Sequence, residues 1–122
     1  MPETGVMTLL GTGGSAGVPM IGCHCPTCTS PSPYNKRFRP AALLRIAGKT
    51  LLLDAGPDVR DQLLREKVDS IDGLLLTHPH YDHIGGIDEL RVFYFQTGRP
   101  VPCILSKTTY SELKERYSYL SK

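Results

Sequence analysis

Between residues 77 and 86 the chain reads THPHYDHIGG, directly after the apolar run of residues 73–76. Three of the four histidines and an aspartate occupy six positions there, as His78-x-His80-x-Asp82-His83. Imidazole nitrogen and carboxylate oxygen are the donors that suit zinc and related divalent ions. In extended backbone, residues two apart point the same way, so His78 and His80 can reach one ion together. Asp82 and His83 fall where the chain turns toward Gly85 and Gly86 and can face a second ion. This pattern restricts the fold, because a buried strand must deliver the loop and hold it still. Two ions about 3.5–4 Å apart can share a hydroxide and clamp a phosphoryl or carbonyl group. Bound metal lowers the pKa of water to roughly 7, so no serine or cysteine nucleophile is needed. A lone histidine after a strand would be read as an ordinary core or surface residue; this density favours metal.

A second cluster repeats the theme in sulfur. The stretch GCHCPTC, residues 22–28, holds Cys23, Cys25 and Cys28 with His24 among them. Three thiolates in a tight loop come within one ligand of a structural zinc site. His24 is a nominal fourth ligand, but it would have to bend back between two ligating neighbours. A redox pair or three idle thiols is the competing reading. Cys103 falls on an apolar segment and is expected to be a buried thiol.

The remaining pattern alternates strands and helices, which places the fold in the α/β class as a single domain over residues 1–122. Strands are expected at 6–10, at 41–46 and 49–54 as a hairpin around Gly48, at 73–77 and at 101–106. Helices are expected from Asp58 as N-cap to 68, with Val59 and Leu63 on the inner face, and over 87–95. Thr109 and Glu112 form a capping box for a last helix reaching residue 120. Residues 16–40 read as one long irregular segment, which needs something to hold it; a metal on the cysteines would do so. The turn of residues 11–15, GTGGS, could offer N–H groups to a phosphate or could simply be a tight turn.

Composition narrows the function classes. A net charge of +2 is too small to argue for a nucleic-acid partner. The local basic stretch Lys36, Arg37, Arg39, Arg45 and Lys49 could meet a phosphate, although a solvated loop and strand edge is the plainer reading. The sequence has no apolar run of about 18 residues, and its first residues lack the regions of a signal peptide. The expectation is therefore a cytoplasmic protein without a membrane partner, where reduced cysteines serve metal before disulfides.

His78, His80, Asp82 and His83 resemble the HxHxDH signature of the metallo-β-lactamase superfamily of metal-dependent hydrolases. Asp54, after the apolar residues 51–53, resembles that superfamily's aspartate ahead of the signature. The resemblance gives it the role of holding the histidine loop by hydrogen bonds, whereas a strand-end aspartate is its local alternative. With LGTGGSAGVP at 10–19 and LLLDAGPD at 51–58, the cysteine triplet is similar to the N-terminal part of the PhnP-type phosphoribosyl cyclic phosphodiesterases. Nucleases that process transfer-RNA 3′ ends share the glycine-rich opening and the histidines but not the cysteine loop. A quinone-cofactor biosynthesis protein shares a similar cysteine loop with a degraded histidine signature.

The resemblance implies an αββα sandwich, of which this chain supplies about the first half as a mixed sheet plus helices. It implies two divalent ions, zinc or manganese, with His78 and His80 on the first and Asp82 and His83 on the second. A structural zinc would sit on Cys23, Cys25 and Cys28, completed by a histidine far along the chain. The implied activity is hydrolysis of a small phosphodiester, a cyclic phosphate on a phosphorylated ribose, by metal-activated hydroxide, with Asp82, His83 and Asp54 as catalytic residues. No histidine follows His83, so the remaining ligands of the family pattern would lie in a second half. The expectation is a homodimer formed through the uncovered sheet face, or a longer protein of which this is part. The alternative functions are a non-catalytic zinc-stabilised interaction module and an RNA-processing nuclease of the same superfamily.

Overall fold

The computed structural model describes residues 4–117. Its centre is a five-stranded sheet whose order in space follows the order in the chain. The strands are β1 (Val6–Gly11), β2 (Ala41–Ile46), β3 (Lys49–Leu53), β4 (Gly73–Leu75) and β5 (Cys103–Ile104). The first two pairings are antiparallel and the last two parallel, as expected for a mixed sheet. Ala47 (φ 55°) and Gly48 (φ 72°) form the two-residue left-handed turn of the β2–β3 hairpin. That turn matches the twist of paired strands. Between Leu9 and Gly11 the β1–β2 ladder slips, and the Leu10 carbonyl there accepts a 3.0 Å hydrogen bond from the Arg65 guanidinium.

Parallel neighbours need crossover connections, and helices supply them. Helix α1 (Val59–Arg65) joins β3 to β4. A single turn, α2 (Tyr81–Ile84), then a 3₁₀ turn (Ile87–Leu90) and α3 (Arg91–Thr97), lead from β4 to β5. Helix α4 (Lys107–Arg116) follows β5. The helices cover one sheet face. Leu43, Leu52, Ala55 and Val59 have no exposed surface at its centre, the leucines and the valine each contributing about 1.5–3 kcal/mol relative to exposure. Among the described residues no helix is long and apolar enough to cross a membrane.

Several expected boundaries move for identifiable reasons. Helix α1 ends before Lys67, whose φ of 53° breaks it. Asp58 is the N-cap residue but does not cap with its side chain. Its carboxylate is occupied instead by the Arg39 backbone N–H (2.9 Å) and guanidinium (2.8 Å). The segment expected as one helix over 87–95 is a 3₁₀ turn running into α3, which stops at left-handed Gly98 (φ 71°). The strand expected over 101–106 shrinks to two residues, Cys103–Ile104. Cys103 is exposed there rather than buried. Ser106, placed in that strand by its sequence, is the N-cap of α4, accepting from the Thr109 N–H at 3.1 Å. Thr109 is a buried residue of the first turn, so the Thr109–Glu112 capping box does not form. The expected end of α4 at residue 120 lies outside the described residues.

The segment of residues 16–40 is held by the chain itself as well as by whatever its cysteines bind. Val18 and Arg37 form a bridge with hydrogen bonds of 2.9 and 2.7 Å. The Arg37 guanidinium reaches Thr12 Oγ1 (3.3 Å) and the Tyr34 carbonyl (3.0 Å). Arg37 and Arg39 therefore brace this loop. At the glycine-rich turn, a Cβ on Gly11 would stand 2.0 Å from the Arg39 carbonyl, so close packing accounts for that glycine.

Candidate metal centres

The histidine site is built from the ends of two neighbouring strands. Strand β3 ends on Asp54, a left-handed non-glycine residue (φ 67°). Such a conformation costs about 1 kcal/mol or more and persists only where its surroundings demand it. Here they do. The Asp54 N–H donates to the Leu75 carbonyl (2.9 Å) of adjacent β4, and the carboxylate, 6% exposed, turns toward the residues that follow β4. Asp54 Oδ1 accepts from the Thr77 N–H at 2.8 Å. Oδ2 meets the Thr77 hydroxyl at 2.7 Å and His83 Nδ1 at 2.7 Å.

Proton accounting along this chain assigns two tautomers. An ionised carboxylate only accepts, so His83 donates from Nδ1, and in the neutral imidazole Nε2 is then the lone pair. The Thr77 hydroxyl spends its one proton on Asp54 and must accept from His78 Nδ1, 2.9 Å away. In the neutral ring His78 likewise has its lone pair on Nε2. One buried carboxylate thus orients two imidazoles, one directly and one through a threonine.

His78 lies beside both other imidazoles. The His78 ring lies 3.8 Å from the His83 ring and 4.8 Å from the His80 ring, measured between centroids. His83 Nε2 stands 3.2 Å from Asp82 Oδ2. Either a proton on Nε2 or a shared cation closes that contact, so it is compatible with a metal site without requiring one. Imidazole and carboxylate are donors that suit a divalent ion, but among the described residues only the thiols of Cys23, Cys25 and Cys28 bring three ligand atoms within 4.8 Å of one another.

Two backbone crossings and one distant side chain hold the loop in place. The Ala55 N–H donates to the His83 carbonyl (2.8 Å) and the Gly86 N–H to the Ala55 carbonyl (2.9 Å). A Cβ on Gly56 would stand 2.2 Å from the Asp82 carbonyl, and one on Gly86 would stand 2.0 Å from the Gly56 carbonyl. No side chain fits at either position. From α4, the Arg116 guanidinium donates to the Pro79 carbonyl at 2.8 Å, between His78 and His80, and pairs with Glu112 at 3.3 Å. Thr77, Gly56, Gly86 and Arg116 were not singled out from sequence. Thr77 and Gly86 sit inside the histidine stretch and Gly56 two residues past Asp54, but nothing local marks Arg116.

The cysteine site is tighter but less embedded. The thiols of Cys23, Cys25 and Cys28 lie within 4.8 Å of one another, the one group of three ligand atoms that close among the described residues. His24 is not part of it. Backbone N–H groups point at the sulfurs, from Met20 to Cys28 and from Cys28 to Cys25, each at 3.4 Å. The Cys28 N–H, with the thiols of Cys23 and Cys28, pulls Cys25 down to about 7. Three convergent sulfurs, one poised to ionise, fit zinc with a fourth ligand still to come. A groove of about 730 Å³ between α3 and α4, lined by Leu90, Tyr94, Leu113 and Tyr117 among others, lies apart from both clusters.

Comparison with known proteins follows this geometry. Residues 49–122 match the Beta-lactamase superfamily domain. The crystal structure of a diphosphatase from the PhnP family superposes with a TM-score of 0.92 at 39% identity, covering 98% of this chain and 48% of that one. Zinc-bound PqqB from Methylobacterium extorquens superposes with a TM-score of 0.77 over 92% of this chain and 40% of its own, at 23% identity, a likeness of fold alone. An octanoyltransferase of Porphyromonas gingivalis is 41% identical over 113 residues, 92% of this chain and 23% of that protein. The chain thus spans about half the length of the diphosphatase and less than a quarter of the octanoyltransferase.

Proposed function

The chain belongs to the β-lactamase superfamily, and from that premise we propose that it carries the histidine portion of a metal-dependent phosphoester hydrolase. The substrate we assign is a small phosphodiester, a cyclic phosphate on a phosphorylated ribose. The observation that carries this reading is the Asp54 network, which engages His78 and His83 through Nδ1 and turns His83 Nε2 to within 3.2 Å of the Asp82 carboxylate. His78 and His80 would hold one ion, Asp82 and His83 a second, with zinc or manganese as candidates. Such ions would supply an activated water and neutralise charge developing on the phosphate. The protein's own part is positional. Asp54 and Thr77 fix the imidazole tautomers, Gly56 and Gly86 let the loop close on β3, and Arg116 restrains the carbonyl between the first two histidines. The likeness to a diphosphatase at 39% identity supports phosphate chemistry.

The test is hydrolysis of bis-para-nitrophenyl phosphate and of ribose cyclic phosphates in manganese or zinc. His80 is exposed and its ring meets the protein edge-on at His78, so His80→Ala should leave the fold intact and abolish turnover. Activity unchanged in that variant would overturn the assignment.

A second reading draws on the compactness of the cysteine cluster. It is a zinc-stabilised module that works by association, and it predicts one zinc per chain, lost on replacing Cys23, Cys25 and Cys28 by serine, with no turnover of any phosphodiester.

A further inference from the structure

Three thiols meet in the surface excursion of residues 20–29. The sulfurs of Cys23, Cys25 and Cys28 lie within 4.8 Å of one another, Cys25 exposed and the other two half-buried. Holding zinc is one use of such a cluster. A bond between two of the sulfurs is another, and the local backbone selects which two. The Cys25 carbonyl accepts the Thr29 N–H at 3.0 Å and the Thr29 hydroxyl at 2.9 Å, which closes a single turn of helical type over residues 25–29. In such a turn residues three apart face each other, with Cβ atoms about 5–6 Å apart, whereas residues two apart do not. The Cys28 N–H accordingly points at Cys25 Sγ, 3.4 Å away. Cys23 precedes the turn and meets the cluster from outside it.

We propose that Cys25 and Cys28 are a peroxide-sensitive thiol pair, closing to a disulfide that competes with metal for the same sulfurs. A disulfide needs its Cβ atoms about 3.5–4.5 Å apart, so the turn has to tighten by roughly 1 Å. The hydrogen bonds around the sulfurs are open to water, so this adjustment disturbs no buried contact. Exposed Cys25 is the sulfur that hydrogen peroxide meets first. Its Sγ attacks one peroxide oxygen, the O–O bond breaks, and water leaves a sulfenic acid on Cys25. Cys28 Sγ then attacks that sulfur, the S–O bond breaks, and a second water carries off the oxygen with the remaining thiol proton. Two thiols are oxidised by two electrons and the peroxide is reduced to water.

The bridge removes two of the three thiolates, and Cys23 alone does not hold zinc. Zinc already in place ties up the sulfur lone pairs that would attack peroxide. The loop therefore exists in two exclusive forms, metal-loaded or bridged. The pairing geometry is local to residues 20–29 and is independent of what the histidine loop hydrolyses.

The test treats the full chain, reduced and chelated, with hydrogen peroxide, then alkylates it and maps the peptides by mass spectrometry. The expected product is lighter by two hydrogens, linked between Cys25 and Cys28, alkylated at Cys23 and Cys103, and restored by a thiol reductant. With zinc at about a hundred-fold over its dissociation constant, roughly 1% of chains stay metal-free, so linkage should slow by about tenfold or more. Cys23→Ser should form the link in full yield, and Cys28→Ser should stop at a sulfenic acid that dimedone traps. A dominant Cys23–Cys25 link overturns the proposal, as does Cys28→Ser losing two hydrogens as readily as the wild type. Oxidation to sulfinic acid without a link, or a rate that zinc leaves unchanged, overturns it as well.

Discussion

The histidine loop and the cysteine loop each gather side chains suited to a metal, but the fold supports them differently. The histidines hang from the ends of two paired core strands, and a carboxylate 6% exposed reaches two of the three imidazoles. The cysteines sit in a surface excursion whose sulfurs are met by the N–H groups of Met20 and Cys28, in hydrogen bonds that are themselves exposed. In the first case buried hydrogen bonds orient the imidazoles. In the second the sulfurs already lie within 4.8 Å of one another, but the hydrogen bonds that hold them are open to water. Ligand density along the chain is similar, so the contrast lies in what stands behind the ligands.

The comparison breaks most directly at Asp54. Asp54→Ala removes three hydrogen bonds from a buried group and leaves left-handed backbone without a tolerant side chain. It should lower unfolding free energy by about 3–5 kcal/mol in urea titrations and weaken metal binding at the histidine loop. Asp54→Asn tolerates the left-handed backbone and keeps the Thr77 N–H contact, so it should cost less. A smaller loss, about 2–4 kcal/mol, is expected for Gly86→Ala, because a Cβ 2.0 Å from a backbone carbonyl forces the crossing apart. If instead Gly86→Ala unfolds like the wild type, the loop is not braced by this crossing.

The cysteine loop should show the opposite dependence. Replacing all three cysteines by serine should change stability in a chelating buffer by less than about 1 kcal/mol. It should remove the stabilisation of about 2.7 kcal/mol that zinc gives the wild type at a hundred-fold excess over its dissociation constant. Amide exchange gives the same contrast without mutation: chelation should deprotect the cysteine loop and spare the amides around Ala55 and His83. The smallest effect belongs to Arg116→Ala, about 0.5–1.5 kcal/mol for one exposed hydrogen bond. Its signature should be faster exchange confined to the residues around Pro79.

Much of this organisation was legible in the chain. The apolar strand that delivers His78, the left-handed hairpin turn at Gly48 and the convergence of Cys23, Cys25 and Cys28 all follow from local pattern. What escaped reading depends on contacts between distant residues. Asp58 looked like a helix cap because nothing nearby revealed that Arg39, nineteen positions earlier, would occupy its carboxylate. Ser106 and Thr109 are both competent caps, and the choice was made by where β5 stops. Cys103 looked buried by composition, but a two-residue edge strand leaves its side chain open. Thr77 reads as an ordinary strand residue until Asp54 is placed beside it.

Because Asp54 governs His83 directly and His78 through Thr77, those two imidazoles cannot drift independently. A change that tilts the carboxylate retunes both at once, and a compensating change has to restore both. The site has fewer free adjustments than its residue count suggests, which makes it hard to modify gradually and easy to lose in a single step.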